Sequence, residues 1–294
     1  MSQRVRYVNP KGKAAVFGMD PPYVFESIAG TGIGDVQQSV SEPADLDGVS
    51  FEDLLMGPRD VTLKFNIRGN TRTELYENRQ ALYALLNPIW HKGGVLGRLE
   101  YTNEYGSAWI PACVKKGLSE FTRVGNNFKS VQCVFYCPSP YWRGMETQYS
   151  RIKLAYLGGG MSFPLRFGAV KFGARGYLES IYNYGDSPSH LEVDITGPAT
   201  RPQITKARTG EYIRLREDKE LYEGDTLHID TTPGSPSVTI KRSTGVTEQA
   251  IGYLDLTSTL FLCDPGETKL QYESGDDGQS SVVTVATLPW WGGR

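Results

Sequence analysis

"GNTRTELYENRQALYALLNP", residues 69–88, is the one stretch of this chain that reads as a helix; almost everything else reads as strand and turn. Thr71 and Glu74 have the spacing of a capping box, in which the hydroxyl takes an N3 amide and the carboxylate reaches back. Leu75, Arg79, Leu82 and Leu86 recur at helical spacing, and Tyr83 and Leu85 widen the stripe. Asn87-Pro88 ends it, because the residue before proline avoids the α region. Glu77, Asn78 and Gln80 make the polar face. One apolar stripe predicts a helix packed by one side on a sheet, with the other side facing water or a partner.

Around the helix the period changes from helical to two. "VTLKFNI" sets Val61, Leu63, Phe65 and Ile67 on one face and Thr62, Lys64 and Asn66 on the other. "SVQCVFY" alternates Val131, Cys133 and Phe135 with Gln132 and Val134. Further on come Leu191/Val193/Ile195, Ile213/Leu215, Leu227/Ile229, Val238/Ile240, Leu270/Tyr272 and Val283/Val285. Short alternating strands separated by turn signals predict antiparallel sheets of the sandwich kind. The chain is therefore expected to be mostly β. With 294 residues it is long enough for two domains. Residues 145–180, with three consecutive glycines and no clean period, read as a connector that docks on something, because Phe163, Phe167 and Phe172 should not hang free in water. The expected division is 1–144, a connector at 145–180, and a β-sandwich at 181–294.

Composition excludes several classes. The 31 basic and 33 acidic residues give a net charge of −2, so no basic excess points to nucleic acid. The N-terminus has no apolar signal run, and no window approaches a membrane span. A soluble protein made in the cytoplasm is the expectation. Cys113, Cys133, Cys137 and Cys263 read as buried small hydrophobes. Cys133 and Cys137 would lie roughly 13 Å apart along one strand, beyond disulfide reach.

The chemistry-bearing patterns are weak. Neither a nucleophile elbow, a Walker loop nor a zinc helix is present. "GTGIGD", residues 30–35, lacks the helix that a phosphate loop requires and reads as a surface turn. His91, His190 and His228 are scattered. The acidic pairs Glu52/Asp53, Asp218/Glu220 and Asp276/Asp277 sit in turn-like sequence, where carboxylates cap and solvate. "DLDGVSFED" (45–53) and "ESGDDGQ" (273–279) lack calcium-loop spacing. Among Trp90, Trp109, Trp142, Trp290 and Trp291, the last two are the candidates for partner or glycan contact. No enzyme activity, cofactor or metal is expected.

The order of features resembles a siphophage distal tail protein. "GPRDVTLKFNIRG", "LYENRQALYALLNP" and "GGVLGRLEY" follow one another as that family's strand, helix and Gly-rich turn. "SVQCVFYCPSPYWRG" is similar to the close of its first domain. "YNYGDSPSHLEVDITGPATRPQI", "GEYIRLRE", "LYEGDTLHIDTT" and "LFLCDPGETKLQYES" are similar to its second.

The resemblance implies a β-sandwich-like N-terminal ring domain with one helix and a galectin-like, carbohydrate-binding-module-like C-terminal sandwich. It implies a homo-hexamer, single or as a double ring, between the tail tube protein and the tail-tip hub, with receptor-binding protein as a further partner. The location would be the tail tip of the virion. Arg59, Arg68, Arg72 and Glu77 are the candidate subunit contacts. The alternative reading is an adhesion module that binds carbohydrate through the C-terminal sandwich. Neither reading calls for specific nucleic-acid or membrane binding.

Overall fold

The structure is a computed structural model; it describes residues 3–42, 48–119, 122–152, 177–275 and 281–294. Residues 153–176 of the expected connector, with Phe163, Phe167 and Phe172, the pair Asp276/Asp277, and parts of both calcium-like stretches lie outside the described residues; the two ends of the connector stretch carry strands. The chain divides into two compact units: Met1–Met145 with Trp291–Arg294, and Glu146–Trp290.

Unit 1 carries β1 (Arg4–Val8), β2 (Ala14–Phe17), β3 (Tyr23–Ala29), β4 (Val36–Ser41), β5 (Ser50–Met56) and β6 (Arg59–Arg68). After α1 (Arg72–Leu85) come β7 (Gly97–Asn103), β8 (Gly106–Ser119), β9 (Thr122–Val124), β10 (Asn127–Cys137) and β11 (Trp142–Gly144). Seven strands hydrogen-bond in the order β2-β1-β7-β8-β10-β6-β3. The sheet folds over one core. Tyr7 of β1 meets Phe135 of β10 at 4.7 Å, and Phe17 of β2 meets Phe65 of β6 at 4.6 Å. Val61, Leu63, Phe65 and Ile67 are buried as the alternation predicts, with Val131, Cys133 and Phe135 beside them. Each large apolar side chain so buried contributes about 1.5–3 kcal/mol relative to exposure.

The helix closes this core. Leu75, Leu82, Leu85 and Leu86 are buried on it. Thr71 Oγ1 accepts from the Glu74 amide at 3.2 Å. The Glu74 carboxylate accepts from the amide of Asn70, at 2.8 Å, one residue earlier than a regular capping box. Asn87 is extended, and Pro88 opens a short 3₁₀ turn, Pro88–His91, rather than loop. Two side chains depart from the expected faces. Tyr83 stands 39% exposed, so it does not widen the buried stripe. Asn78 turns back from the polar face and donates to the Arg68 carbonyl at 2.9 Å.

Unit 2 carries β12 (Gln148–Ile152), β13 (Tyr177–Asn183), β14 (Leu191–Thr196), β15 (Ala199–Thr200), β16 (Gln203–Lys206) and β17 (Tyr212–Arg214). It continues with β18 (Glu220–Leu221), β19 (Thr226–Asp230), β20 (Ser237–Lys241), β21 (Thr247–Gln249), β22 (Gly266–Glu273) and β23 (Val282–Thr287). One sheet runs β12-β23-β14-β19-β20-β21 and the other β13-β22-β16-β17. Leu191, Val193, Leu227, Ile229, Val238, Ile240, Val283 and Val285 of the first share a single core with Ile181, Ile204, Ile213, Leu270 and Tyr272 of the second. That shared core makes the unit a β-sandwich. The mostly β fold read from the sequence is what the structure shows.

Candidate assembly surfaces

The expected contact residues fall into two groups. Arg68, Arg72 and Glu77 are exposed, Arg68 at the end of β6 and the other two on α1. Arg59 is not; it is 5% exposed and is held inside unit 1. Its guanidinium donates to the Gly32 carbonyl at 2.6 Å and to the Gly292 carbonyl at 2.6 Å. Burial lowers its pKa. The "GTGIGD" stretch is the other half of this clasp. Gly30 has φ +85°, and a Cβ there would stand 2.1 Å from the Asp60 carbonyl oxygen, so glycine is required. Arg294 N donates to the Thr31 carbonyl at 2.8 Å. The loop is therefore a socket for the last residues of the chain, not a free surface turn. No local pattern announces this, because Arg59 and Gly292 are 233 residues apart.

The tryptophan candidates are also used within the chain. Trp290 is 2% exposed, with its ring 5.5 Å from that of His190, and offers no open face for a sugar. This corrects the expectation of a contact there. Trp291 packs on the unit 1 core, and the Arg294 guanidinium lies 3.7 Å above its ring. Trp109 lies beneath Arg98 and Arg143, at 4.5 and 5.1 Å.

On the helix surface Arg79 sits 4.6 Å over Tyr76, 5.7 Å over Tyr83 and 5.0 Å over Phe128. This cation–π cluster explains why Tyr83 points outward.

The histidines serve structural hydrogen bonds. His91 Nε2 lies 3.0 Å from Tyr7 Oη and its Nδ1 lies 2.9 Å from the Val95 carbonyl. His228 Nδ1 lies 2.7 Å from Asp194 Oδ1. His190 Nε2 lies 3.3 Å from Glu192 Oε1. Asp218 is paired with Arg216 and Lys219. Among the described residues no group of three or more His, Cys, Asp or Glu could hold a metal ion. The cysteines are free thiols. Burial pushes Cys137 up to about 12 and Cys133 further. Cys113 is only half-buried, a departure from the expected buried set.

One surface went unread in the sequence. Among the described residues β4 and β5 pair only with each other, as a two-stranded ribbon. Val36 pairs with Met56, Gln38 with Leu54, and Val40 with Phe51, while Gln37 pairs with Leu55, Ser39 with Asp53 and Ser41 with Ser50. The first set shares one face and the second the other. The apolar face is uncovered: Phe51 is 60% and Leu54 47% exposed. The bulge between Ser39 and Val40 shifts the alternation of "SFEDLLM", which hides the strand from a period-two reading.

Residues 185–286 match the family model described as siphovirus-type tail component, C-terminal domain. The resemblance to siphophage distal tail proteins holds. Over its whole length the chain is similar in fold to the crystal structure of the SPP1 Dit protein, gp 19.1. That likeness has a TM-score of 0.63 and 13% identity, and covers 98% of each chain. Dit is described there as a paradigm of hub adsorption apparatus in phages that infect Gram-positive bacteria. Chains of the phage P2 baseplate in its activated conformation are also similar. With calcium the TM-score is 0.52 at 12% identity, and with strontium 0.51 at 12% identity, each covering 98% of both chains. No curated protein matches the sequence. Among the described residues no helix is long and apolar enough to cross a membrane.

Proposed function

We propose that this chain is a structural, non-enzymatic part of a siphophage tail tip, a distal tail protein of the baseplate. Copies of it form a hexameric ring that joins the tail tube to the tail-tip hub and carries receptor-binding proteins. The protein is made in the host cytoplasm and works in the virion. The supporting observation is the pairing of two likenesses: the tail-component family match over unit 2, and a fold match to Dit that spans both units.

A ring of identical copies uses two unlike surfaces of each chain, repeated head to tail. The exposed Arg68, Arg72 and Glu77 are proposed as rim contacts of that ring. Buried Arg59 holds the subunit's own C-terminus in place instead.

The carbohydrate-binding alternative is the weaker reading, because Trp290 is buried and Trp291 is partly buried under Arg294. Light scattering of the purified chain, alone and with the tube and hub proteins, tests the ring. A mass of six or twelve copies supports it. A chain that stays monomeric with both partners present overturns it.

A further inference from the structure

We infer that the apolar face of the β4–β5 ribbon docks on a second copy of this chain, on the patch formed by Ile89, Val95 and Leu96. The inference deepens the ring reading and rests on it, naming the two surfaces that meet.

The first argument is energetic. A lone two-stranded hairpin is marginal in water. This one has a mainly apolar face, with Val36, Val40, Phe51 and Leu54 uncovered on it, and a mainly polar face on which Leu55 is the exposed exception. A ribbon with one apolar face is half of a packed layer.

The second argument is charge. Between Thr31 and Pro58 the sequence has no lysine or arginine. Asp35, Glu42, Glu52 and Asp53 give the described part of the ribbon and its root a single negative sign. The receiving surface must be apolar and positive. Other exposed apolar residues of unit 1, such as Met19, Tyr105 and Val124, are scattered in sequence, and Tyr76 and Tyr83 are engaged by Arg79.

Ile89, Val95 and Leu96 are 50%, 51% and 38% exposed and lie on one short segment. That segment is tied to the sheet by His91, which reaches both Tyr7 Oη and the Val95 carbonyl. Val8 pairs with Arg98, so the turn after β1 and the segment entering β7 leave the sheet side by side. Exposed Lys92 lies on the same short segment as Ile89, Val95 and Leu96, and exposed Lys11 and Lys13 lie in the turn after β1. No acidic residue occurs from Met1 to Met19 or from Asn78 to Leu99. The two surfaces match in both polarity and sign. They are different parts of one chain, so the contact is heterologous and propagates from copy to copy.

The test is cross-linking in a Cys113→Ser background, where the remaining buried thiols are unreactive. One preparation carries Phe51→Cys, a second carries Ile89→Cys, and they are mixed with a short bis-maleimide. A covalent dimer that forms only in the mixture supports the contact, and its yield falls several-fold with Lys92→Glu or high salt. A yield no higher than Phe51→Cys mixed with Val124→Cys overturns it. A chain carrying both Phe51→Cys and Ile89→Cys separates this contact from the ring reading. A ladder closing at six supports both. A ladder that closes elsewhere or runs open keeps the contact and sinks the six-fold ring. No ladder from a protein that light scattering shows as a hexamer sinks the contact and keeps the ring.

Discussion

The β4–β5 ribbon and the sandwich of unit 2 are made of the same material and end in opposite states. Both are antiparallel, and both put apolar side chains on one face. In the sandwich, Val193, Ile229, Ile240 and Val285 find the opposite sheet and are buried. In the ribbon, Phe51 and Leu54 stay largely exposed among the described residues. Burial within the chain gives stability to the subunit. The same chemistry left uncovered gives nothing to the subunit and is free for assembly.

The sharpest way to break this contrast is to delete one phenyl ring on each side of it. Phe65→Ala, in the buried face of β6, is expected to cost about 4 kcal/mol. Phe51→Ala, in the ribbon, is expected to change monomer stability by less than about 0.5 kcal/mol. Urea unfolding of both variants decides the matter. A large cost at Phe51 would mean that the ribbon packs on its own subunit.

Next in size is the buried carboxylate of Asp225 in unit 2, paired with the partly exposed Arg242. Asp225 is 2% exposed and receives Arg242 Nη1 at 2.7 Å, the Ser243 amide at 2.9 Å and the Tyr222 amide at 3.2 Å. Burial alone would raise its pKa, but Arg242 and the two amides outweigh burial and lower it. A depressed carboxylate stabilises the fold above its unfolded pKa of about 3.9, and that stability is lost as the pH falls through the folded value. Asp225→Ala, which leaves Arg242 without this partner, is expected to cost about 3 kcal/mol at pH 7. The acid limb of the unit 2 transition should flatten with it. An unchanged acid limb would refute the assignment.

The Arg59 clasp predicts a smaller effect in unit 1. Arg59→Lys keeps the charge but cannot fork between the Gly32 and Gly292 carbonyls. The expected loss is about 2 kcal/mol, the scale of one charge-assisted hydrogen bond. Faster carboxypeptidase removal of Trp291–Arg294 should accompany it. If trimming is no faster, the clasp does not hold the terminus.

The features that sequence made visible share a physical basis. Period-two alternation exposed β6, β10 and most of unit 2, because a two-faced strand must bury one face. Capping and period 3.6 exposed α1. The misses have a different origin. Arg59 looked like a surface cation because its acceptors come from Gly32 and from Gly292, far away along the chain. Trp290 looked accessible because a near-terminal aromatic gives no sign of where it packs. The ribbon was hidden by its bulge, although its missing cations could have marked residues 31–58 as one electrostatic unit.

The smallest effect concerns His228 and Asp194, neighbours across β19 and β14 on the outward side of the sandwich. The hydrogen bond to Asp194 raises the imidazole pKa against the opposing effect of desolvation, with Asp194, Glu192 and Asp230 adding attraction. A raised imidazole stabilises the fold fully below its unfolded pKa of about 6.5, and that stability is lost as the pH rises through the folded value. Both side chains are substantially exposed, 41% and 49%, so solvent screens the pair. The expected contribution is about 0.5 kcal/mol. Asp194→Asn should bring the His228 titration, followed by NMR, back toward the unfolded value while leaving the urea midpoint almost unmoved at pH 8. A large loss of stability at pH 8 would show that the carboxylate supports the sheet by some route other than this proton. The outward face of the sandwich would then be structural rather than merely solvated, and the contrast with the ribbon would narrow.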